Sequence, residues 1–131
     1  MPFLLDTNVW INYLKDPGHK IHHKLASLHP RDIITCSIVL SELLHGATKY
    51  GNPNRRVSIV RAVLAPFKSF AFDDVDAQHY AKIRNDLEIK GCMIGPYDLQ
   101  IAAICVRHSF VLATSNVSEF SRVQGLQVED W

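Results

Sequence analysis

The sequence predicts an α/β fold with a mainly parallel central sheet of about five strands, covered by helices on both faces. Three observations carry this expectation. Short runs of strand length recur along the chain: "FLL" (3–5), "DIIT" (32–35), "SFAF" (69–72), "FVLAT" (110–114) and "LQVED" (126–130). Helical stretches separate the first four, and a strand–helix–strand order calls for the crossover connections that parallel pairing needs. The 131 residues, 47% hydrophobic and 21% charged, suffice for one core and little more, so a single domain over 1–131 is expected. No internal repeat, linker or low-complexity tract divides it.

Phe3–Leu5 is short enough for a buried strand, and Asp6, Thr7 and Asn8 are all residues that cap a helix, here the one expected through "VWINYLK" (9–15). A second helix is expected over "HKIHHKLASL" (19–28), closed by His29-Pro30 because proline disfavours helical geometry in the residue before it. After the strand at 32–35, Ser37 reads as the cap of "IVLSELLHGATK" (38–49). There Val39, Leu40, Leu43, Leu44 and Ala47 keep to one apolar stripe and Glu42 lies off it. "GNPN" (51–54) breaks the chain, and "RRVSIVRAVLAPF" (55–67) reads as helix up to Pro66. The strand at 69–72 leads into a long helix from Asp74 to Lys90. Gly91 and Gly95 turn the chain, and Pro96 sits where a helix first tolerates it. The helix it opens has so few polar residues beyond Asp98 and Gln100 that burial on most sides is expected. "SNVSEFSRV" (115–123), before the last strand, reads as a loop with one helical turn.

Composition narrows the function classes. No run approaches the roughly 18 apolar residues of a membrane span, and no signal-peptide pattern is evident, so a soluble cytoplasmic protein with no membrane partner is expected. Cys36, Cys92 and Cys105 are odd in number, far apart and set in apolar surroundings, which fits reduced, packed thiols. A formal charge of +1 gives no global field for a polyanion, so a nucleic-acid partner would have to be held by local patches or by metal ions.

Sites in open α/β sheets form outside the carboxyl ends of the strands. Asp6 follows the first strand, Glu42 lies in the helix after the second, Asp98 opens a helix, and Thr114, Asn116 and Glu119 follow the fourth strand. Together they predict an acidic pocket at one sheet edge. Clustered carboxylates repel, and at least one pKa rises unless a cation screens them. Oxygen ligands without His/Cys spacing favour Mg²⁺ or Mn²⁺ over zinc, and the chemistry that follows is phosphodiester hydrolysis by activated water, with no protein nucleophile. Singly, each residue has a plainer reading: Asp6 as a helix cap, Glu42 as a solvated charge, Asp98 as a first-turn acid favoured by the helix dipole, Glu119 as surface. A zinc site on His19, His22 and His23 lacks both an HExxH pattern and a cysteine partner, so these read as a solvated helix face. A Gly-rich phosphate loop and a GxSxG elbow are absent, and Asn8 stands where an aspartyl-phosphate phosphatase would carry its second aspartate.

"LLDTNVWI" (4–11), "SELLHGA" (41–47), "IGPYDLQIAA" (94–103) and "LATSNVSEF" (112–120) occur in the order that resembles the PIN-domain nucleases, and among them the VapC toxins of bacterial toxin–antitoxin pairs. "GLQVEDW" (125–131) is similar to the end of a VapC of the enteric type. The resemblance implies a PIN-like α/β/α sandwich and a Mg²⁺- or Mn²⁺-dependent endoribonuclease that inhibits translation by cutting tRNA. The anticodon stem-loop of initiator tRNA is the narrower expectation. It places Asp6, Glu42 and Asp98 at the three acidic positions and Thr7 and Thr114 as the polar residues that orient the pocket. The chain departs from the family pattern at Asn116, where a fourth acid is often found; Asn116 still offers a carbonyl oxygen, and Glu119 offers the missing charge. A VapB-like antitoxin that blocks the pocket, a homodimer and a higher toxin–antitoxin assembly are the implied partners, with Trp10, Ile11 and Leu14 serving either an interface or the core. Lys15, Lys20, Lys24, Lys49, Arg55, Arg56 and Arg61 are the cations available to an RNA backbone, each equally readable as a solvated charge. Two other readings stay open: a DNA or general single-strand nuclease on the same site, and an inactive binding partner. Asn116 speaks for the latter and the intact Asp6, Glu42 and Asp98 against it.

Overall fold

Five strands, Phe3–Leu5 (β1), Ile33–Cys36 (β2), Lys68–Phe70 (β3), Val111–Thr114 (β4) and Gln127–Asp130 (β5), pair in parallel throughout, in the order β3-β2-β1-β4-β5. The computed structural model describes residues 1–131. Seven helices flank the sheet: Thr7–Lys15 (α1), Lys20–Ala26 (α2), Ser37–Thr48 (α3), Pro53–Leu64 (α4), Asp74–Lys90 (α5), Pro96–His108 (α6) and Val117–Phe120 (α7). The chain starts in the middle of the sheet, winds outward through β2 and β3, then returns to the other side of β1 with β4 and β5. That reversal beside β1 is where a crevice opens beyond the strand ends in this class of sheet.

The three inner strands are apolar on both faces because crossover helices cover both. Leu4, Leu5, Ile33, Ile34, Leu112 and Ala113 are all buried, and α6 adds Leu99 and the unbroken buried run Ile101–Cys105. Cys36 and Cys105 are buried and Cys92 half-buried, all as free thiols. No helix is long and apolar enough to cross a membrane.

Element ends differ from the sequence expectation where side chains capture backbone groups. The second helix runs over Lys20–Ala26 rather than 19–28, because His19 stands outside it as N-cap and accepts the Ile21 N–H on Nδ1 at 3.1 Å. His22 stacks on Tyr13 and His23 is exposed, so the three histidines do not converge. Ser37 does not cap α3 but is its first residue; its hydroxyl accepts the Phe72 N–H at 3.2 Å, and β3 accordingly ends at Phe70 rather than at 72. A 3₁₀ turn over Pro30–Asp32 delays β2 to Ile33. Proline at the first position lets α4 begin at Pro53, two residues before the expected arginines.

At the other end of α6, Arg107 bridges Asp73 and Asp76 in the first turn of α5. Asp73 and Asp76 form a reciprocal capping box, and Asp76 is fully buried.

Candidate active site

Asp6 sits one residue past β1, and its backbone N–H still bonds to Ala113 O at 2.9 Å, so the β1–β4 ladder carries on to the site itself. As an N-cap it is unusual. Its Oδ1 accepts the N–H of Thr7, the residue next to it, at 2.8 Å, rather than one from deeper in the helix. Its Oδ2 turns away from α1 and accepts the Thr114 hydroxyl at 2.8 Å, a contact made inside the protein across the β1–β4 pair. The carboxylate is 4% exposed. Such a group is more than a cap, since capping alone would leave it at the surface.

The neighbouring polar residues continue from there. Thr7 donates its hydroxyl to Glu42 Oε1 at 2.8 Å, which brings the half-buried α3 carboxylate to the end of β1. The Thr114 hydroxyl, while donating to Asp6, accepts the Asn116 N–H at 3.0 Å. Asn116 is the N-cap of α7, and its side-chain amide donates to Glu119 Oε2. The two residues between which the sequence divided the fourth position therefore touch each other. Their spacing, N-cap to third helical residue, brings the two side chains within reach of each other, although neither bonds the α7 backbone as a cap.

Asp98 arrives by a different route. α6 is 13 residues long and leads down into β4, so its first turn lies about 20 Å back along its axis, level with the carboxyl edge of the sheet. The helix dipole there favours a carboxylate. Nevertheless the Asp98 carboxyl is pushed up to about 6, by burial first and then by the negative charges of Asp6, Glu119 and Glu42. Asp6 is raised as well: burial outweighs its bonds from Thr114 and Thr7, and Glu119 adds repulsion. All four predicted carboxylates thus share one field. Two carboxyls pushed up by burial and by neighbouring negative charge form a place where a cation is favoured.

The donor set is oxygen only, which suits a hard divalent ion. No three Asp, Glu, His or Cys side chains converge closely enough to enclose a bare ion unaided. Mg²⁺, which keeps several of its waters, does not require that.

Residues 3–126 match the PIN domain family. The chain is a PIN-domain protein of the VapC family. It is 34% identical, over all of its length and 98% of the relative's, to the tRNA(fMet)-specific endonuclease VapC of Salmonella typhimurium. It is 30% identical over the same shares to the tRNA(fMet)-specific endonuclease VapC of Shigella flexneri. Its fold superposes with a TM-score of 0.93 on the DNA-bound VapBC structure from Salmonella typhimurium, at 34% identity, covering 100% of this chain and 98% of that one. The PIN-like parallel sheet expected from the sequence is therefore the fold of the VapC chains, and in this chain Asp6, Glu42, Asp98 and the Asn116–Glu119 pair gather at the carboxyl edge of its inner strands.

Proposed function

We propose that this chain is the toxin of a type II toxin–antitoxin pair and hydrolyses phosphodiester bonds in tRNA, with the anticodon stem-loop of initiator tRNA as its target. The observation that carries the proposal is the shared field of Asp6, Glu42, Asp98 and Glu119 at the end of β1 and β4. The endonuclease names of its full-length relatives supply the substrate class. The VapBC complexes among its structural neighbours supply the partner, a VapB-like antitoxin; a homodimer within a larger toxin–antitoxin assembly belongs to the same proposal. The bacterial cytoplasm, where tRNA is met, is the compartment this reading requires.

Mg²⁺ or Mn²⁺ is the cofactor proposed; Asp6, Glu42 and Asp98 would hold it, in part through the waters it keeps. The chemistry such an ion would supply is a lowered pKa for an attacking water and a counter-charge for the phosphate. The protein's own groups do the positioning. Thr114 and the Thr7 N–H fix both oxygens of Asp6, and the Thr7 hydroxyl fixes one oxygen of Glu42. Asn116 holds Glu119 toward the cluster and so returns the negative charge that Asn116 itself lacks. That contact argues against an inactive binding partner, the reading Asn116 alone would favour.

The test is cleavage of a bacterial tRNA pool by purified protein with Mn²⁺ or Mg²⁺, with fragment ends mapped. Discrete anticodon-loop cuts that vanish with EDTA and with Asp98→Asn are expected. Equal cutting of matched DNA loops would replace the tRNase by a general single-strand nuclease, and cutting by the Asp98→Asn protein would refute the site.

A further inference from the structure

A cleft of about 570 Å³ between α1, α3 and α4 has Glu42 on its wall. Besides Glu42 it carries Lys15, Lys49, Arg55 and Arg56 and no other carboxylate. None of these four cations makes an ion pair, for the salt bridges of the chain involve Lys24, Arg84, Lys90 and Arg107. A protein of net charge +1 therefore concentrates unneutralised positive charge next to its acidic site. The arrangement suits a polyanion that must be drawn toward carboxylates it would otherwise avoid.

The turn between α3 and α4 adds a second feature. Tyr50 is 58% exposed there, with the Arg56 guanidinium 5.7 Å from its ring centroid. Arg56 is itself fixed by a bond from Nε to Gly51 O at 3.0 Å. Asn52, in the left-handed region at φ 60°, sets the path of the turn. An exposed ring braced by a guanidinium is a stacking platform for an unpaired base, and Ile59, 43% exposed, adds apolar surface beside it. The remaining cations do not join this group: Lys24 is committed to Glu129 and to the face of Trp131, and Lys20 and Arg61 lie outside the cleft.

We propose that this cleft binds the single-stranded RNA segment adjoining the scissile phosphate, with its backbone on Lys15, Lys49, Arg55 and Arg56 and one unpaired base stacked on Tyr50. The proposal rests on the endoribonuclease reading and names the track by which substrate reaches that site.

The test uses the full chain carrying Asp98→Asn, in EDTA, so that RNA is bound and not cut. Anisotropy of a labelled RNA hairpin with an unpaired loop is read at several salt concentrations. The triple variant Lys49→Ala/Arg55→Ala/Arg56→Ala, at exposed positions, should flatten the slope of log affinity against log salt by about 2, at roughly 0.7 per single-strand phosphate contact. Tyr50→Ala should weaken binding about tenfold with the slope unchanged. An equal-charge control, Arg31→Ala/Lys68→Ala/Lys82→Ala, should leave the slope as it was. Equal flattening by both triple variants would reduce the effect to net charge and overturn the proposal. RNA binding undisturbed by the cleft variants would overturn it too, and assign the cleft to a protein partner. Cleavage by the otherwise wild-type chain separates the two readings. If that chain cuts no RNA, the nuclease reading fails and the slopes still judge the cleft; if cleft variants cut as fast as wild type, the cleft alone fails.

Discussion

Asp98→Asn should make the metal-free protein more stable while abolishing its activity. The Asp98 carboxyl titrates near 6, held up by burial and by Asp6, Glu119 and Glu42, against about 4 for a free aspartate. That hundredfold difference in proton affinity corresponds to about 2.7 kcal/mol against the ionised form. The side chain is half-buried, and solvent screening reduces the penalty to about 1–1.5 kcal/mol. Below about pH 4 the carboxyl is neutral in the folded and the unfolded chain alike, so wild type and variant should unfold together. Between about 4 and 6 the unfolded chain releases its proton while the folded chain keeps it, so wild-type stability falls as pH rises. Above about 6 both forms are ionised and the whole difference stands. Urea unfolding in EDTA across pH 4 to 8 measures this directly. Mn²⁺ at a hundred times its dissociation constant should then reverse the ranking, adding about 2.7 kcal/mol to wild type and much less to the variant. A variant no more stable than wild type at pH 7.5 without metal would refute the idea that these carboxylates share one field.

Thr114→Val keeps the shape but leaves Asp6 Oδ2 without a donor and the Asn116 N–H without an acceptor; a loss of about 2 kcal/mol in thermal unfolding is expected. The Asp6 carboxyl should rise further, because a bond that lowers it is gone, and a carbon-13 titration reads this directly. Asn116→Asp should bring a second carboxylate against Glu119, lowering metal-free stability by about 1 kcal/mol and tightening Mn²⁺ binding about tenfold, as calorimetry would register. Arg107→Ala strips buried Asp76 of its cationic neighbour at the far end of α6 and should lower the thermal unfolding midpoint, with cleavage per folded molecule unchanged. A selective loss of cleavage in that variant would mean that α6 transmits strain to Asp98.

Pattern and chemistry were legible in the sequence to different depths. Strand identity was clear because apolar runs such as Phe3–Leu5 are too short for anything but a buried strand, and the apolar sequence of α6 announced its burial. Boundaries were less clear, since they depend on contacts between residues far apart in the chain: Ser37 ends β3 by taking the Phe72 N–H, which no local pattern around either residue reveals. The acidic residues could be assigned to one sheet edge because strand order and helix direction dictate it. That they repel one another was legible too, but which of them is raised most, and which oxygen each threonine holds, was not, because burial and the bonds of Thr7 and Thr114 are properties of the packed molecule. Tyr50 passed unnoticed for the same reason, since a lone tyrosine before Gly51 and Asn52 resembles any loop residue until Arg56 of α4 is folded against its ring.

The bond from Thr114 to Asp6 spans 108 positions of the chain. β1 is made long before β4, the fourth of the five strands, which fills the other side of its central position in the sheet. Until then Asp6 has no donor for its inner oxygen, Asn116 and Glu119 have not been made, and a nascent chain has no pocket. Parallel pairing over such separations is also slow. The topology therefore makes assembly of the acidic cluster a late step of folding, completed only when β4 docks against β1.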